Sequence, residues 1–203
     1  MDFTATDLRA LFAAFATRMA AERDALCALD GAIGDGDHGI AMEQGMSAAA
    51  KAAAETDGTL QDICNAAAKG FLNAVGASSG PLYATGFLRA GKVFGPVHAL
   101  PRDKLVQIIP AIRDGIVHRG KAEPGQKTML DAWHPAAEAV LSGAGAATVS
   151  ARAAEGAKAT SDMIARMGRA ERLQERSLGH PDPGAISAAM LIEIIAEAAR
   201  PPA

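Results

Sequence analysis

The chain has 203 residues, 49% hydrophobic and 4% aromatic, with a formal net charge of −3. That length can bury one sizeable core, no Pro/Ser-rich linker or charge block divides it, and one domain over 1–203 is expected. The weak, mixed-sign charge excludes nucleic acid as the main partner, and the most apolar late stretch, broken by Glu193 and Glu197, argues against a membrane span.

The first element is a helix carrying Leu8, Leu11, Phe12, Phe15, Met19, Leu26 and Leu29 at spacings near three and four, after a Thr4-to-Asp7 capping box. No basic-then-apolar leader precedes it, so export is not expected. Cys27, at its end, and Cys64 lack the short spacing of a redox or zinc pair, which suits a reducing compartment; cytosol is the expected location.

Next comes "LDGAIGDGDHGIAM", which sets Asp30, Asp35 and Asp37 among four glycines. Two unit charges about 5 Å apart repel by about 3 kcal/mol at an effective dielectric of about 20, so a tight turn holding three carboxylates calls for a cation between them. An EF-hand starting at Asp35 fails, because its fifth and sixth positions are Gly39 and Ile40. Hard oxygen ligands select Mg²⁺, Mn²⁺ or Ca²⁺, and Mg²⁺ commonly completes its shell with substrate phosphate oxygens. The competing explanation is turn chemistry, with Asp37 capping the helix that follows. His38 then opens that helix, where backbone N–H groups favour phosphate; a plain surface histidine is the alternative.

Further helices are expected over about 38–55, 59–76, 79–95, 102–119, 131–143, 146–169 and 184–199, which makes eight, in an all-α fold with poor strand signal. Abundant alanine, as in "SAAAKAAAE", favours helix and close helix approach. Glycine and proline fall between the helices, so function is sought in the loops. "GASSGPLYATG" offers a flexible turn, Ser79 as N-cap and Pro81 early in the helix. "GKAEPGQKT" is one residue too long for a P-loop, since Gln126 separates Gly125 from Lys127, and no buried strand leads into it. Arg166, Arg169, Arg172 and Arg176 would line one helical side and continue into the next loop, as a solvated face or with one arginine reaching a phosphate. "ERSLGHPDPGA" brings Arg176, His180 and Asp182 together, with Asp182 as cap and Pro183 at the first position of the last helix.

Four stretches, "LDGAIGDGDHG", "GASSGPLY", "RGKAEPGQKTMLDAW" and "GRAERLQERSLGHPDPGA", resemble in order those of the L subunit (DhaL) of bacterial dihydroxyacetone kinases, equivalent to the nucleotide-binding domain of the single-chain kinases. The resemblance implies eight antiparallel amphipathic helices in a closed barrel, with the nucleotide at one end. It implies that Asp30, Asp35 and Asp37 coordinate two Mg²⁺ ions against ADP or ATP. His38, Gly39, Ile40, Ala41, Ser78, Ser79, Gly120, Met129, Arg176, Asp182, Pro183 and Gly184 match the nucleotide contacts. No side chain is expected to serve as acid or base; Asp30, Asp35, Asp37 and Arg176 would support the transfer.

The implied partners are a separate K subunit carrying dihydroxyacetone and, with ADP kept as coenzyme, a phosphohistidine donor, the M subunit. An ATP-dependent version with exchangeable nucleotide, a regulator acting on a transcription activator, and homodimerisation stay open. Two departures stand out: Gln126 where the family usually has Asp, and "ERLQ" (171–174) where "SYLG" is frequent. Another small ketose could therefore be the substrate.

Overall fold

A computed structural model describes residues 2–200, which form nine α-helices and two three-residue strands. The helices are α1 (Ala5–Ala21), α2 (Arg23–Ile33), α3 (His38–Glu55), α4 (Leu60–Ala74), α5 (Ser79–Phe94), α6 (Ile108–Gly120), α7 (Leu130–Leu141), α8 (Ala146–Ala159) and α9 (Pro183–Ala198). The expected first helix is two, because the backbone leaves helical geometry at Glu22 (φ −96°, ψ 3°). No glycine or proline marks that break. Residues 102–107 form a 3-10 helix rather than the start of α6.

Local chemistry sets most other boundaries. The Thr4–Asp7 capping box is present, and a second, Thr59–Asp62, starts α4. Asp182 caps α9 through a 2.7 Å bond from the Ala185 amide, with Pro183 in the first turn. Ser78 rather than Ser79 occupies the cap position of α5, and neither side chain makes a capping bond there. The expected 146–169 helix stops at Ala159; a 3-10 turn (Thr160–Asp162), extended backbone at Met163 and a 3-10 segment (Arg169–Ser177) follow. Strands β1 (Asp2–Thr4) and β2 (Ala99–Pro101) pair antiparallel, Phe3 opposite Leu100, a pairing too short to leave a periodic signal.

Eight helices close a ring: α1 packs on α3, successive neighbours follow from α3 to α9, and α9 returns to α1. Helix α2 is the extra member, packed against both α3 and α9. Arg9 donates to the Thr56 carbonyl, joining the start of α1 to the end of α3, while Arg102 binds Asp7 and the Ala198 carbonyl, joining the start of α1 to the end of α9. Alternation around the ring then places the N-termini of α3, α5, α7 and α9 at one rim.

Phe12, Phe71, Tyr83, Phe87 and Trp133 fill the interior, with ring centroids 5.3–6.5 Å apart. Small residues let the walls approach. A Cβ on Gly156 of α8 would fall 2.0 Å from the Asp131 carbonyl of α7. That is the carbonyl Pro135 leaves without its helical N–H partner, so the proline and the glycine together seat α8 on α7.

Candidate functional site

The rim with four helix N-termini holds a cleft of about 480 Å³. Its walls come from the α2–α3 connection (Asp30 to Ala41), the start of α5 (Ala77 to Leu82), the end of α6 (Ile116 to Gly120), the loop before α7 (Lys127 to Met129), residues 167–170, and the start of α9 (Asp182 to Gly184). Backbone N–H groups at such ends carry partial positive charge and attract anions.

Asp30 belongs to the last turn of α2 rather than to the loop, and its role differs from a turn carboxylate's. Its Oδ2 accepts the amides of Asp37 (2.9 Å) and His38 (3.3 Å), so Asp30 satisfies the start of α3, while Asp37 makes no side-chain capping bond. Glycine makes the fold-back feasible: a Cβ on Gly34 would fall 2.3 Å from Asp30 Oδ1. A Cβ on Gly39 would fall 2.0 Å from the Arg23 carbonyl, so only glycine lets α3 lie this close to α2.

One carboxylate oxygen from each of Asp30, Asp35 and Asp37 lies within 4.8 Å of the other two. The donor set is all hard oxygen, and Asp35 and Asp37 are exposed to the cleft. This set fits a hard divalent cation. Arg169 contacts Asp35 and lies 3.6 Å from Asp37, bringing positive charge from the 3-10 segment to the same cluster.

His38 Nε2 lies 2.9 Å from Ser187 Oγ, and burial lowers its basicity, partly opposed by Asp30, so the ring is neutral near pH 7. With the Ser187 hydroxyl donating to the Gly184 carbonyl (3.1 Å), the bond to His38 assigns the proton to Nε2 and leaves Nδ1 as the acceptor. Burial, reinforced by Asp131 and Asp30 and opposed by the Ala185 amide and Lys127, pushes the Asp182 carboxyl up to about 7.

Most residues singled out from sequence meet here: Asp30, Asp35, Asp37, His38, Ala41, Ser78, Ser79, Gly120, Met129, Asp182, Pro183 and Gly184 all line the cleft. Gly39 is buried behind it, Ile40 is 44% exposed outside it, and Arg176 is exposed and off its wall. The four arginines do not share a helical side, because the chain around them is not α-helical.

Sequence reasoning missed Arg119 and gave Arg169 no individual role, although both line the cleft. It also missed Asp131, which is buried and accepts the amides of Gly125 (2.5 Å) and Thr128 (2.8 Å), ordering the loop before α7. Thr128 stands three residues before Asp131, the spacing of the Thr4–Asp7 capping box, and that signal could have found it. Lys127, which the sequence offers only as a phosphate-loop lysine, is 1% exposed and bonded to backbone carbonyls.

Comparison with known proteins gives the same neighbourhood throughout. The model of the DAK2 domain matches residues 32–197. The ADP-binding subunit DhaL of the PEP-dependent dihydroxyacetone kinase of Escherichia coli (strain K12) is 38% identical over 188 residues, 88% of this chain and 90% of that protein. The corresponding subunit of kinase 1 of Listeria innocua is 40% identical over 179 residues, 87% and 88% of the two chains. The L-erythrulose 1-kinase of Mycolicibacterium smegmatis is 38% identical over 178 residues, with 83% of this chain matching 31% of that enzyme. The crystal structure of the dihydroxyacetone kinase from C. freundii in complex with AMP-PNP and Mg²⁺ superposes with a TM-score of 0.70 at 24% identity, covering 94% of this chain and 33% of that one. At that identity the superposition shows a shared all-α fold.

Proposed function

The chain belongs to the DAK2 domain family, and from that premise we propose that it is the nucleotide-binding phosphotransfer subunit of a dihydroxyacetone kinase or of a kinase for a related small ketose. The observation that carries the reading is the three-carboxylate cluster at the rim where four helix N-termini converge. The E. coli and L. innocua DhaL subunits bind ADP, by their names, and match nearly their whole length; the erythrulose kinase relative supports widening the substrate class beyond dihydroxyacetone.

Each wall has a part in holding a nucleotide. Asp30, Asp35 and Asp37 would hold Mg²⁺, which neutralises charge developing on the phosphates and keeps attacking and leaving oxygens in line. The first turns of α3, α5, α7 and α9 direct amides at the phosphates, and Ser78 and Ser79 add hydroxyl donors. Leu82, Ile116 and Met129 give apolar surface for the nucleobase. Arg119 and Arg169 supply positive charge at the mouth. The cleft thus positions and screens rather than exchanging protons.

On this reading the ketose is held by a separate K-type partner, and ADP stays bound as a coenzyme recharged by a phosphohistidine donor. The test mixes the chain with such a partner, dihydroxyacetone, Mg²⁺ and either a phosphohistidine donor protein or ATP. Ketose phosphate that requires the donor protein, with ADP only stoichiometric with the chain, is the expected result. Product formed from ATP alone would replace the coenzyme version by nucleotide exchange; no product from either donor, with Mg·ADP binding intact, would overturn the transfer role.

A further inference from the structure

Resting on the nucleotide-site reading above, we infer that Lys127 is a positioning residue whose buried ammonium gathers the carbonyls of the 160–182 segment and so holds that segment as one wall of the cleft.

Lys127 sits just before α7 at φ 60°, a left-handed conformation that turns its side chain away from the regular course of the loop. Its Nζ lies 2.7 Å from the Thr160 carbonyl, 3.1 Å from Met163, 2.9 Å from Ser177 and 2.6 Å from His180. An ammonium has three protons, and four acceptors surround this one. No proton is left for a phosphate, so Lys127 borders the cleft without serving as a phosphate ligand. Asp182 and Asp162 supply compensating negative charge that favours the ammonium, against the desolvation of burial.

The four carbonyls come from both ends of one excursion of the chain. Thr160 and Met163 lie where α8 stops; Ser177 and His180 lie just before α9. Other bonds knit the same loop. The Gly179 amide donates to the Ser161 carbonyl (2.8 Å), the Asp182 amide to Thr160 Oγ1 (2.8 Å), and the Ala165 amide to Ser177 Oγ (2.9 Å). Between these ends the chain carries Met167, Gly168, Arg169 and Ala170 along the cleft. No α-helix and no cluster of large buried side chains holds residues 163–176; Ala165 is the one buried hydrophobic residue among them. The ammonium is therefore what converts a polar excursion into a fixed wall, and it places Arg169 beside Asp35 and Asp37 and Asp182 at the start of α9.

Lys127→Met keeps the side-chain length and removes the charge. The test compares this variant with wild type by titrating Mg·ADP and by following amide hydrogen exchange, at a temperature where both are fully folded. The expected result is a Mg·ADP dissociation constant at least tenfold higher, with exchange accelerated over 160–182 and unchanged in α3 to α6. A variant that binds Mg·ADP within twofold of wild type overturns the inference, and so does acceleration spread evenly over all helices, which marks general destabilisation.

Should Lys127→Met prove insoluble, the wild-type protein labelled with ¹⁵N at lysine Nζ decides. A protected Lys127 ammonium resonance whose exchange slows further on adding Mg·ADP supports the clamp, and one indifferent to Mg·ADP overturns it. Wild-type protein that takes up no Mg·ADP overturns the functional reading alone; the location of the accelerated exchange in Lys127→Met then decides the clamp by itself.

Discussion

Two walls of the cleft face each other and are built on opposite principles. The 30–41 wall is made by backbone and glycine: Asp30 folds back over Gly34 to accept two amides of α3, and Gly39 lets α3 lie against α2. The 160–182 wall is made by one buried charge, with Lys127 substituting for the hydrophobic packing that segment lacks. The first wall is closely packed where Gly39 meets the Arg23 carbonyl; the second is held by its ammonium cage. On the proposed reading the first wall would supply the metal ligands, and the second holds Arg169 beside them.

Perturbing the walls separately sharpens this contrast. The largest effect is expected from Asp35→Asn or Asp37→Asn. Replacing even an outer-shell partner of a metal commonly costs about 10–100-fold in affinity, so loss of a direct ligand is expected to weaken Mg-dependent nucleotide retention by at least about 100-fold. Helical circular dichroism should be unchanged, since neither side chain caps α3. Equilibrium dialysis against Mg·ADP reads this, and unchanged retention in both variants would remove the ligand assignment.

Next in size is Gly39→Ala. The new Cβ would meet the Arg23 carbonyl at 2.0 Å, a backbone atom that cannot swing aside. Overpacking of this kind costs about 1–3 kcal/mol, or a fall of roughly 2–12 °C in Tm for a domain of this size. A scanning calorimetry trace unchanged from wild type would show that α2 and α3 are less tightly apposed than described.

A smaller effect is expected in the pH dependence of stability. The Asp182 carboxyl, raised to about 7 in the folded chain from an ordinary value of 3.8, makes the folded state bind more protons than the unfolded one between those limits. Its contribution therefore makes stability fall as pH rises from about 4 to about 7. His38, whose basicity burial lowers, works in the opposite direction below its ordinary value of 6.5. Comparison with Asp182→Asn isolates the first contribution, because Asn still caps α9. The variant should lose the decline while keeping the His38 rise, as measured by denaturant midpoints across that range without nucleotide.

The smallest expected effect is a gain. Gln174 stands at φ 51° and ψ −127°, a backbone region suited to glycine. Gln174→Gly relieves that strain but gives up the Gln174 Nε2 bond to the Glu171 carbonyl (2.9 Å). A net gain of about 1 kcal/mol, or roughly 2–4 °C in Tm, is expected, with Mg·ADP affinity changed less than twofold. A lower Tm would mean that the side-chain bond outweighs the strain.

The same division explains what could be read in the sequence. The α3, α4, α5, α7 and α9 helices follow from apolar spacing and from caps such as Asp182–Pro183, because those signals lie within a few residues of the ends they set. The three aspartates announce themselves because like charges crowded among glycines are unfavourable without a cation. The end of α8 was not legible: Met163, Ile164 and Met167 keep apolar residues at helix-like spacing as far as Gly168, whereas in the structure the Thr160 and Met163 carbonyls are taken up by a lysine more than 30 residues earlier. Carbonyls carry no residue identity, so a cage made of four of them leaves no motif. The break at Glu22 is similarly silent, as it depends on how α1 and α2 pack on α3 and α9 rather than on any local breaker.

Whether this rim holds a Mg-bound nucleotide is read most directly from what the purified protein carries. The chain is purified without chelator, denatured, and its released nucleotide and magnesium are quantified by chromatography and elemental analysis. Near-stoichiometric ADP with magnesium is the predicted result. A protein that releases neither, and that binds neither ADP nor ATP when supplied with Mg²⁺, would contradict it.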